Sequence, residues 1–380
     1  MNQSDNNSSE KDLPTLAELR QRIDAVDLKI HELINERAGY VLDVATVKKA
    51  DAEAEAKANN TDEVAIDFYR PSREAQIFRA IADRNKGPMP DKDMQRIFRE
   101  IISSSLSLEQ QLKVAYLGPQ GTYTEEAAFK HFGSAVTGIP IAGIAEIFEA
   151  VEAGSARFGV VPVENSTEGA VNHTLDMLMQ TSLRICGEVS LRIEHQLMSR
   201  TTDLGSVTAI HAHPQSLAQC RGWLDANLPS VERVAESSNA EAATVALENE
   251  HVAAIASAAA ARYYDLNLIA SNIEDIKNNT TRFLIIGDQN VSPSGDDATS
   301  ILLAAPHHPG GLRRMLKPFE DAGVSMTRIE SRPGKGALWE YVFFIDVHGH
   351  QQDETLAPVL EQLKNEAVGL RVLGSYPRAL

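Results

Sequence analysis

Apolar residues fall at Leu16, Leu19, Ile23, Val26, Ile30 and Leu33 in alternating steps of three and four, and the seam continues through Tyr40, Val44 and Val47. Such spacing predicts one long helix whose stripe must be buried against another helix. Thr15-Leu16-Ala17-Glu18 is a capping box, so the helix begins there. Arg37 interrupts the seam where an apolar knob is expected, Lys48 lies beside it, and Arg20 sits four heptads before Lys48 on the same stripe. A register-setting polar residue is one reading of Arg37. A ligand site is the other, but Arg20 and Lys48 are then about 42 Å apart along the axis, too far for one small molecule. If Arg20, Arg37 and Lys48 serve one ligand, the helix must run antiparallel to a copy of itself, with Arg20 supplied by the partner. The expected assembly is an intertwined homodimer or a higher homo-oligomer.

Ala50 to Asn60 is rich in Ala and Glu and reads as a fraying helix end or an exposed linker. Pro71 opens a second helix with Arg73, Glu74 and apolar Ile77, Phe78 and Ile81, which Gly87-Pro88 stops. Asp91 opens a third, and Ser105 and Glu109 lie one turn apart near its end. In this order on three helices, Arg20, Arg37, Lys48, Arg73-Glu74 and the Ser105 and Glu109 pair resemble the all-helical chorismate mutase family over residues 13–111. The resemblance implies an all-α, three-helix domain in which Arg20, Arg37, Lys48, Arg70, Arg73, Glu74, Ser105 and Glu109 bind chorismate. Cations would hold its two carboxylates in the folded conformer, Glu74 would meet the ring hydroxyl and Glu109 would face the breaking ether; Arg37, Lys48 and Glu109 are the expected catalytic groups. The rearrangement is unimolecular, so conformer selection and electrostatic stabilisation suffice, and no cofactor is expected. Arg70 stands where the best-known members carry an acid, and Glu109 where they carry a glutamine.

After Gln111 short apolar runs alternate with helices: Val114 to Leu117, Phe158 to Val163, Ile185 to Leu191, Val207 to Ile210, Val252 to Ile255 and Phe283 to Ile286. That alternation predicts an α/β fold. Phe158 to Val163 runs into Glu164-Asn165-Ser166-Thr167-Glu168-Gly169 before Val171, Leu175 and Leu178 set up helical spacing. This predicts a strand, a polar loop and a helix N-terminus suited to an anion; a capped turn alone would use one Ser or Thr. His211-Ala212-His213-Pro214-Gln215-Ser216 is a second such junction and Asn278-Asn279-Thr280-Thr281-Arg282-Phe283 a third. Three polar junctions aimed at one cleft suit a two-lobed binding fold. Gly118-Pro119-Gln120-Gly121-Thr122-Tyr123-Thr124 follows a strand like a phosphate loop, but lacks the Gly-Lys-Ser/Thr ending and the Gly-x-Gly-x-x-Gly spacing. His211 and His213 share a strand face without a third ligand nearby, so no metal is expected.

These junctions, with Gly-Pro-Gln-Gly-Thr-Tyr at the start and Thr281-Arg282-Phe283 near the end, resemble prephenate dehydratase over residues 113–290. The resemblance implies an α/β, two-lobed, periplasmic-binding-protein-like domain, with Thr281 as the essential hydroxyl and Asn165, Ser166, Thr167, Gln215, Ser216, Thr281 and Arg282 on prephenate. Prephenate loses its ring carboxylate and C4 hydroxyl together and aromatisation drives the step, so the protein need only help hydroxide leave. A threonine does this as a hydrogen-bond donor or relay. Arg282 is either a partner for a substrate carboxylate or one half of a structural ion pair.

Pro293-Ser294-Gly295-Asp296-Asp297 reads as a linker. Beyond it, Ser300 to Ala304, a helix from Gly310 to Ala322, Met326 to Ser331, Leu338 to Ile345, a helix from Glu354 to Asn365 and Leu370 to Leu373 give βαββαβ, an α+β ferredoxin-like order. His307-His308 and His348 to His350 lack metal-site company and read as loop residues. His308-Pro309-Gly310-Gly311-Leu312 and Glu330-Ser331-Arg332-Pro333 resemble the ACT-type regulatory domain, here residues 298–376. The resemblance implies that Gly310, Gly311, Leu312, Glu330, Ser331, Arg332 and Pro333 hold the effector phenylalanine between subunits.

The whole reads as a multidomain enzyme whose small-molecule partners are chorismate, prephenate and phenylalanine. A formal charge of −17 over 380 residues argues against nucleic acid and against an anionic membrane surface, since both need a basic face. Two cysteines, Cys186 and Cys220, make neither a disulfide framework nor a four-cysteine zinc site. Met1 to Asp12 has no apolar signal core, and the longest apolar run, Val252 to Ala261, is too short to span a bilayer, so the expected location is cytoplasmic. Two rivals stay open: a non-catalytic amino-acid sensor, and a monofunctional dehydratase whose helical region is a dimerisation arm. Thr281-Arg282-Phe283 and the helical cation set argue against the first, Arg37 in the seam against the second.

Overall fold

The structure is a computed structural model that describes residues 14–59, 67–306, 308–334 and 341–379. Met1 to Asp12, Asn60, His307 and the expected strand start at Leu338 lie outside the described residues. The chain divides into two compact units, one ending at Phe68 and one beginning at Tyr69.

In the first unit, α1 (Leu16–Asn59) is a single 44-residue helix, about 66 Å long at ~1.5 Å per residue. Its capping box is formed: Thr15 N donates to Glu18 Oε2 at 2.8 Å, and Glu18 N to Thr15 Oγ1 at 3.3 Å. Leu16, Leu19, Ile23, Val26, Ile30, Leu33, Tyr40, Val44 and Val47 are exposed along it, an apolar stripe of the kind that marks an interaction surface.

The second unit opens with α2 (Pro71–Arg84) and α3 (Asp91–Glu109). Next come β1 (Lys113–Leu117), α4 (Tyr123–Phe132), β2 (Thr137–Ile141), α5 (Ile144–Glu152), β3 (Phe158–Asn165), the two-residue β4 (Gly169–Ala170), α6 (Asn172–Leu178) and β5 (Arg184–Arg192). After 193–195 the chain crosses to β6 (Gln196–Ser199), β7 (Ala209–Ala212), α7 (Pro214–Gln219), α8 (Arg221–Asn227), β8 (Glu232–Ala235), α9 (Asn239–Glu248), β9 (Val252–Ala256), α10 (Ala258–Tyr263) and β10 (Asn267–Ala270). It then returns through 271–279 to β11 (Thr280–Gly287). One sheet runs β2-β1-β3-β11-β5, with β4 paired to β3, and the other β10-β6-β9-β7-β8. Two crossings between two sheets give the expected two-lobed arrangement. The sequence reading missed β2, β4, β6, β8 and β10, which are short or only partly apolar, and began one strand at Val207, which follows a 3-10 turn at Leu204–Ser206 and precedes β7.

The C-terminal part is β12 (Asp297–Ala304), α11 (Gly311–Asp321), β13 (Met326–Pro333), β14 (Tyr341–His348), α12 (Leu356–Glu366) and β15 (Gly369–Pro377), in an antiparallel sheet of order β13-β14-β12-β15. This is the βαββαβ order read from the sequence. It does not hang from a loose linker. Asp297 accepts hydrogen bonds from Ser294 N and Gly295 N, at 2.8 and 3.2 Å, while Arg79 on α2 donates to Ser294 O at 2.7 Å and Asp296 O at 2.8 Å. Phe344, Leu373 and Tyr376 pack in one apolar cluster with Ile147, Leu175 and Ile286 of the first lobe. β15 lies so close to β5 that a Cβ at Gly374 would stand 2.1 Å from Ile185 O.

Candidate active sites

A cleft of about 590 Å³ opens between the two lobes, within the range of small-molecule sites. Register on the central strands brings Thr281 opposite Asn165. Asn165 Nδ2 donates to Thr281 Oγ1 at 2.8 Å and to Asn279 Oδ1 at 2.9 Å, and all three residues are buried. Because Thr281 Oγ1 accepts that bond, its own proton can be aimed at a ligand. Asn165 Oδ1 in turn accepts from Thr167 N, Thr167 Oγ1 and Glu168 N at 3.0, 2.6 and 3.2 Å, so one asparagine fixes both the turn and the threonine.

Gln215 and Ser216 also line the cleft, and Asn239 Nδ2 donates to Ser216 Oγ at 2.8 Å. Ser166 and Thr167 follow Asn165 in a turn, and the expectation corrected is that of a helix N-terminus at them. After Asn165 the chain turns back as β4 against β3, and α6, seven residues long, starts only at Asn172, so no helix begins at Ser166. Ser166 instead pins the neighbouring junction, with Ser166 N donating to Thr280 O at 2.9 Å and Thr280 N to Ser166 Oγ at 3.0 Å. The glycine loop at Gly118 cradles a side chain of its own: Gly121 N donates to Glu125 Oε2 at 2.6 Å, and Tyr116 OH to Glu125 Oε1 at 2.5 Å. His211 Nδ1 lies 2.7 Å from Glu236 Oε1, and His213 Nδ1 accepts from Gln215 N at 3.3 Å. Among the described residues no three of His, Cys, Asp and Glu converge on a metal position.

Sequence reasoning missed a second polar chain in the cleft. Tyr123 OH lies 3.0 Å from His195 Nδ1 and donates to Glu194 O at 2.9 Å; His195 Nε2 lies 2.8 Å from Gln219 Oε1; Gln219 Nε2 donates to Glu168 Oε1 at 3.3 Å. These residues come from α4, the crossing at 193–195, α7 and the turn after β3. Tyr123 and Glu168 fall in stretches already singled out for other reasons, while His195 and Gln219 stand alone in the sequence, so no motif joins the four. Burial pushes the Tyr123 hydroxyl well above its ordinary value, Glu126 adding to this. Burial also lowers the His195 imidazole, opposed by Gln219 and Glu274.

Arg282 takes the structural alternative. It neighbours Thr281 but alternates to the opposite side of β11, where Nε donates to Glu188 Oε2 at 2.7 Å, Nη1 to Asp346 Oδ2 at 2.6 Å and Nη2 to Tyr376 OH at 3.0 Å. The guanidinium is thus committed to β5, β14 and β15 and is absent from the cleft lining. Glu164, the register partner of Arg282, lies 3.1 Å from Arg328 Nε on β13. Arg332 is likewise turned toward the first lobe, donating to Asp176 Oδ1 on α6 at 2.6 Å. Along β13 Glu330 and Arg332 are half-buried while Ser331 and Pro333 are exposed. Gly310 is the left-handed N-cap of α11, with φ 78°, and Gly311 and Leu312 open that helix. Leu312 lines a surface recess with Phe343, the register partner of Ser331.

The helical set is divided between the two units. On α1, Arg20 is exposed and Arg37 half-buried, and Lys48 Nζ donates to Asp67 O at 3.3 Å and Phe68 O at 3.4 Å. In the second unit Arg70 is the N-cap of α2 and Arg73 is exposed. Glu74 Oε1 accepts from Arg99 Nη1 at 3.1 Å, and Arg99 also donates to His131 O. Burial lifts the Glu74 carboxyl to about 7, although Arg99 pulls it down. Ser105 is buried, its Oγ donating to Ile101 O at 2.7 Å, and Glu109 closes α3 half-buried. Arg99, absent from the sequence reading, has no neighbour in the chain that marks it.

Three family models match the chain: Chorismate mutase type II over residues 19–110, Prephenate dehydratase over residues 114–291 and ACT domain over residues 299–365. The bifunctional chorismate mutase/prephenate dehydratase of Pseudomonas aeruginosa is 53% identical, covering 97% of this chain and 99% of its own. That of Neisseria gonorrhoeae is 44% identical over 95% and 96%. A solved structure of prephenate dehydratase in complex with L-Phe from Arthrobacter aurescens is similar at 37% identity and a TM-score of 0.65, covering 70% of this chain and 90% of that one. No helix among the described residues is long and apolar enough to cross a membrane.

Proposed function

The chain belongs to the family of bifunctional chorismate mutase/prephenate dehydratases, and we propose how its residues divide the work. It rearranges chorismate to prephenate and then decarboxylates and dehydrates prephenate to phenylpyruvate. In our reading residues 13–111 carry the first step, 113–290 the second and 298–376 the regulation.

Dehydration consumes a proton: the prephenate dianion plus one proton gives the phenylpyruvate monoanion, carbon dioxide and water. The ring carboxylate leaves as carbon dioxide, its electron pair completes the aromatic ring, and the C4 hydroxyl departs. Thr281 donates to that oxygen while Asn165 donates to Thr281, with Gln215 and Ser216 on the substrate. The observation that carries this is the 2.8 Å contact of Asn165 Nδ2 with Thr281 Oγ1 inside the cleft. For the rearrangement, Arg37, Lys48, Arg70, Arg73, Glu74, Ser105 and Glu109 act with Arg20 of a second copy, and the exposed stripe on α1 supports a homodimer. Phenylalanine, held by Gly310, Gly311, Leu312 and the backbone from Glu330 to Pro333, inhibits the dehydration. The working location is the cytoplasm.

The test is Thr281→Ala in the full chain. Dehydratase kcat should fall by at least about 10²-fold, the scale of losing one positioned donor, while chorismate is still consumed at the wild-type rate. Near-normal phenylpyruvate formation from prephenate would remove Thr281 from the mechanism.

A further inference from the structure

We propose that His195 is the counter-charge of the dehydration cleft: it takes up a proton when the dianionic substrate enters and holds it as an imidazolium, positioned between Tyr123 and Gln219. This rests on the dehydratase reading above and goes beyond Thr281.

No Lys or Arg lies among the described residues lining the cleft, yet the substrate brings two carboxylates. Histidine is the lining residue type that can become cationic near neutral pH. His213 is occupied as the N-cap of α7, its Nδ1 accepting from Gln215 N at 3.3 Å. His195 is placed differently. Tyr123 OH lies between Glu194 O at 2.9 Å and His195 Nδ1 at 3.0 Å, so it can give its one proton to the carbonyl and present a lone pair to the ring. Gln219 points its amide nitrogen at the Glu168 carboxylate, so its Oε1 is the atom facing His195 Nε2. Gln219 Oε1 makes Nε2 a donor in either state; the neutral ring takes the Tyr123 proton at Nδ1, while an imidazolium donates there and sends the Tyr123 proton to Glu194 O, so the ring can gain a proton without losing a partner.

The charged and titratable surroundings point the same way. Glu274 is buried; its Oε2 accepts from His195 N at 2.9 Å, and its Oε1 has no hydrogen-bond partner. Glu194 is on the crossing itself, Glu168 in the turn after β3, Glu126 on α4, and Cys220 follows α7. Cations oppose these acids: Lys277 Nζ lies 3.6 Å from Glu274 Oε1, Arg192 Nε lies 3.4 Å from Glu194 Oε1, and Arg262 and Lys130 act on Glu126. In the empty cleft burial outweighs these and lowers the imidazole; a dianion beside it reverses the balance, since an opposite charge nearby favours the ionised form. Because residues 193–195 form the first crossing between lobes, the charge sits where both lobes meet the ligand.

The test compares Thr281→Ala with Thr281→Ala/His195→Gln in the full chain, titrating each with prephenate by calorimetry near neutral pH in two buffers of different ionisation enthalpy. The single variant should take up close to one proton more per cleft than the double. In the catalytically intact background, His195→Gln should lower dehydratase kcat/KM by about tenfold or more, chiefly through KM. Wild-type kcat/KM should fall as pH rises through the His195 titration, and the variant should be flat. Chorismate consumption reports folding and should not change. Equal proton uptake, or a variant that keeps the wild-type pH profile, overturns the proposal. Failure of the wild type to convert prephenate would instead overturn the dehydratase reading itself.

Discussion

Removing the Asp346 carboxylate should destabilise the chain through Arg282. The two groups are 2.6 Å apart with side chains 7% and 19% exposed, and breaking a buried pair by deleting one partner costs about 3–5 kcal/mol. Glu188 and Tyr376 still face the guanidinium, which places Asp346→Ala at the lower end, about 3 kcal/mol. Replacing both charges together, Arg282→Met with Asp346→Leu, removes this pair but takes the guanidinium from the Glu188 carboxylate, so the double variant should lose about as much as one single variant, about 3 kcal/mol. Urea midpoints at constant m-value measure each variant, and a cycle built on Arg282→Met and Asp346→Leu should show the double variant losing less than the two single variants summed, a coupling of about 3 kcal/mol. Prephenate KM is the second readout. With the guanidinium turned away from the cleft, the paired replacement should leave KM within about threefold, under ~0.7 kcal/mol. Additive single effects would deny the pair, and a tenfold rise in KM in the folded double variant would put Arg282 on the substrate after all.

Glu74, with an ordinary value of 4.5 and a folded one of about 7, binds more protons folded than unfolded between those limits. Its contribution is full below the first and is lost as pH rises to the second, up to about 3 kcal/mol; Glu74→Gln should flatten that part of the stability profile, and an unchanged slope would refute the assignment. Arg20→Ala and Lys48→Ala should each abolish chorismate consumption, while mixed dimers of the two regain one working site in two; no recovery after confirmed subunit exchange would sink the shared site. Mutase kcat/KM should fall as pH rises through the Glu109 titration, because the ether oxygen needs a hydrogen-bond donor and an ionised carboxylate can only accept. Glu109→Gln donates at every pH and should remove that limb; superimposable profiles would show that Glu109 is not the donor.

Much of this architecture could be read directly. The step of three and four from Leu16 to Val47 and the Thr15 to Glu18 box determine α1, because helix periodicity and capping are local properties. Asn165 and Thr281 could each be placed at a strand end from apolar runs, though their mutual contact is a matter of register between strands 116 residues apart. Ser166 and Thr167 misled because a polar loop before helical spacing looks the same whether it starts the helix or folds back as a hairpin. Arg282 was undecidable, since which side of β11 it takes depends on partners 64 and 94 residues away. His195 was invisible for a related reason: both its ring partners are distant, and a solitary histidine after an apolar strand carries no periodic signal.

The closeness of β15 to β5 bears on how such chains can be recombined. A gene fusion that exchanged the C-terminal βαββαβ segment for a relative's would import a new strand against Ile185, and any residue but glycine at position 374 would collide with that carbonyl. Tyr376, Phe344 and Leu373 would have to match a foreign first lobe as well. Chimaeras should therefore tolerate crossover points that carry β5 along with β15, and fail when the junction is placed at Pro293, where the sequence alone invites the cut.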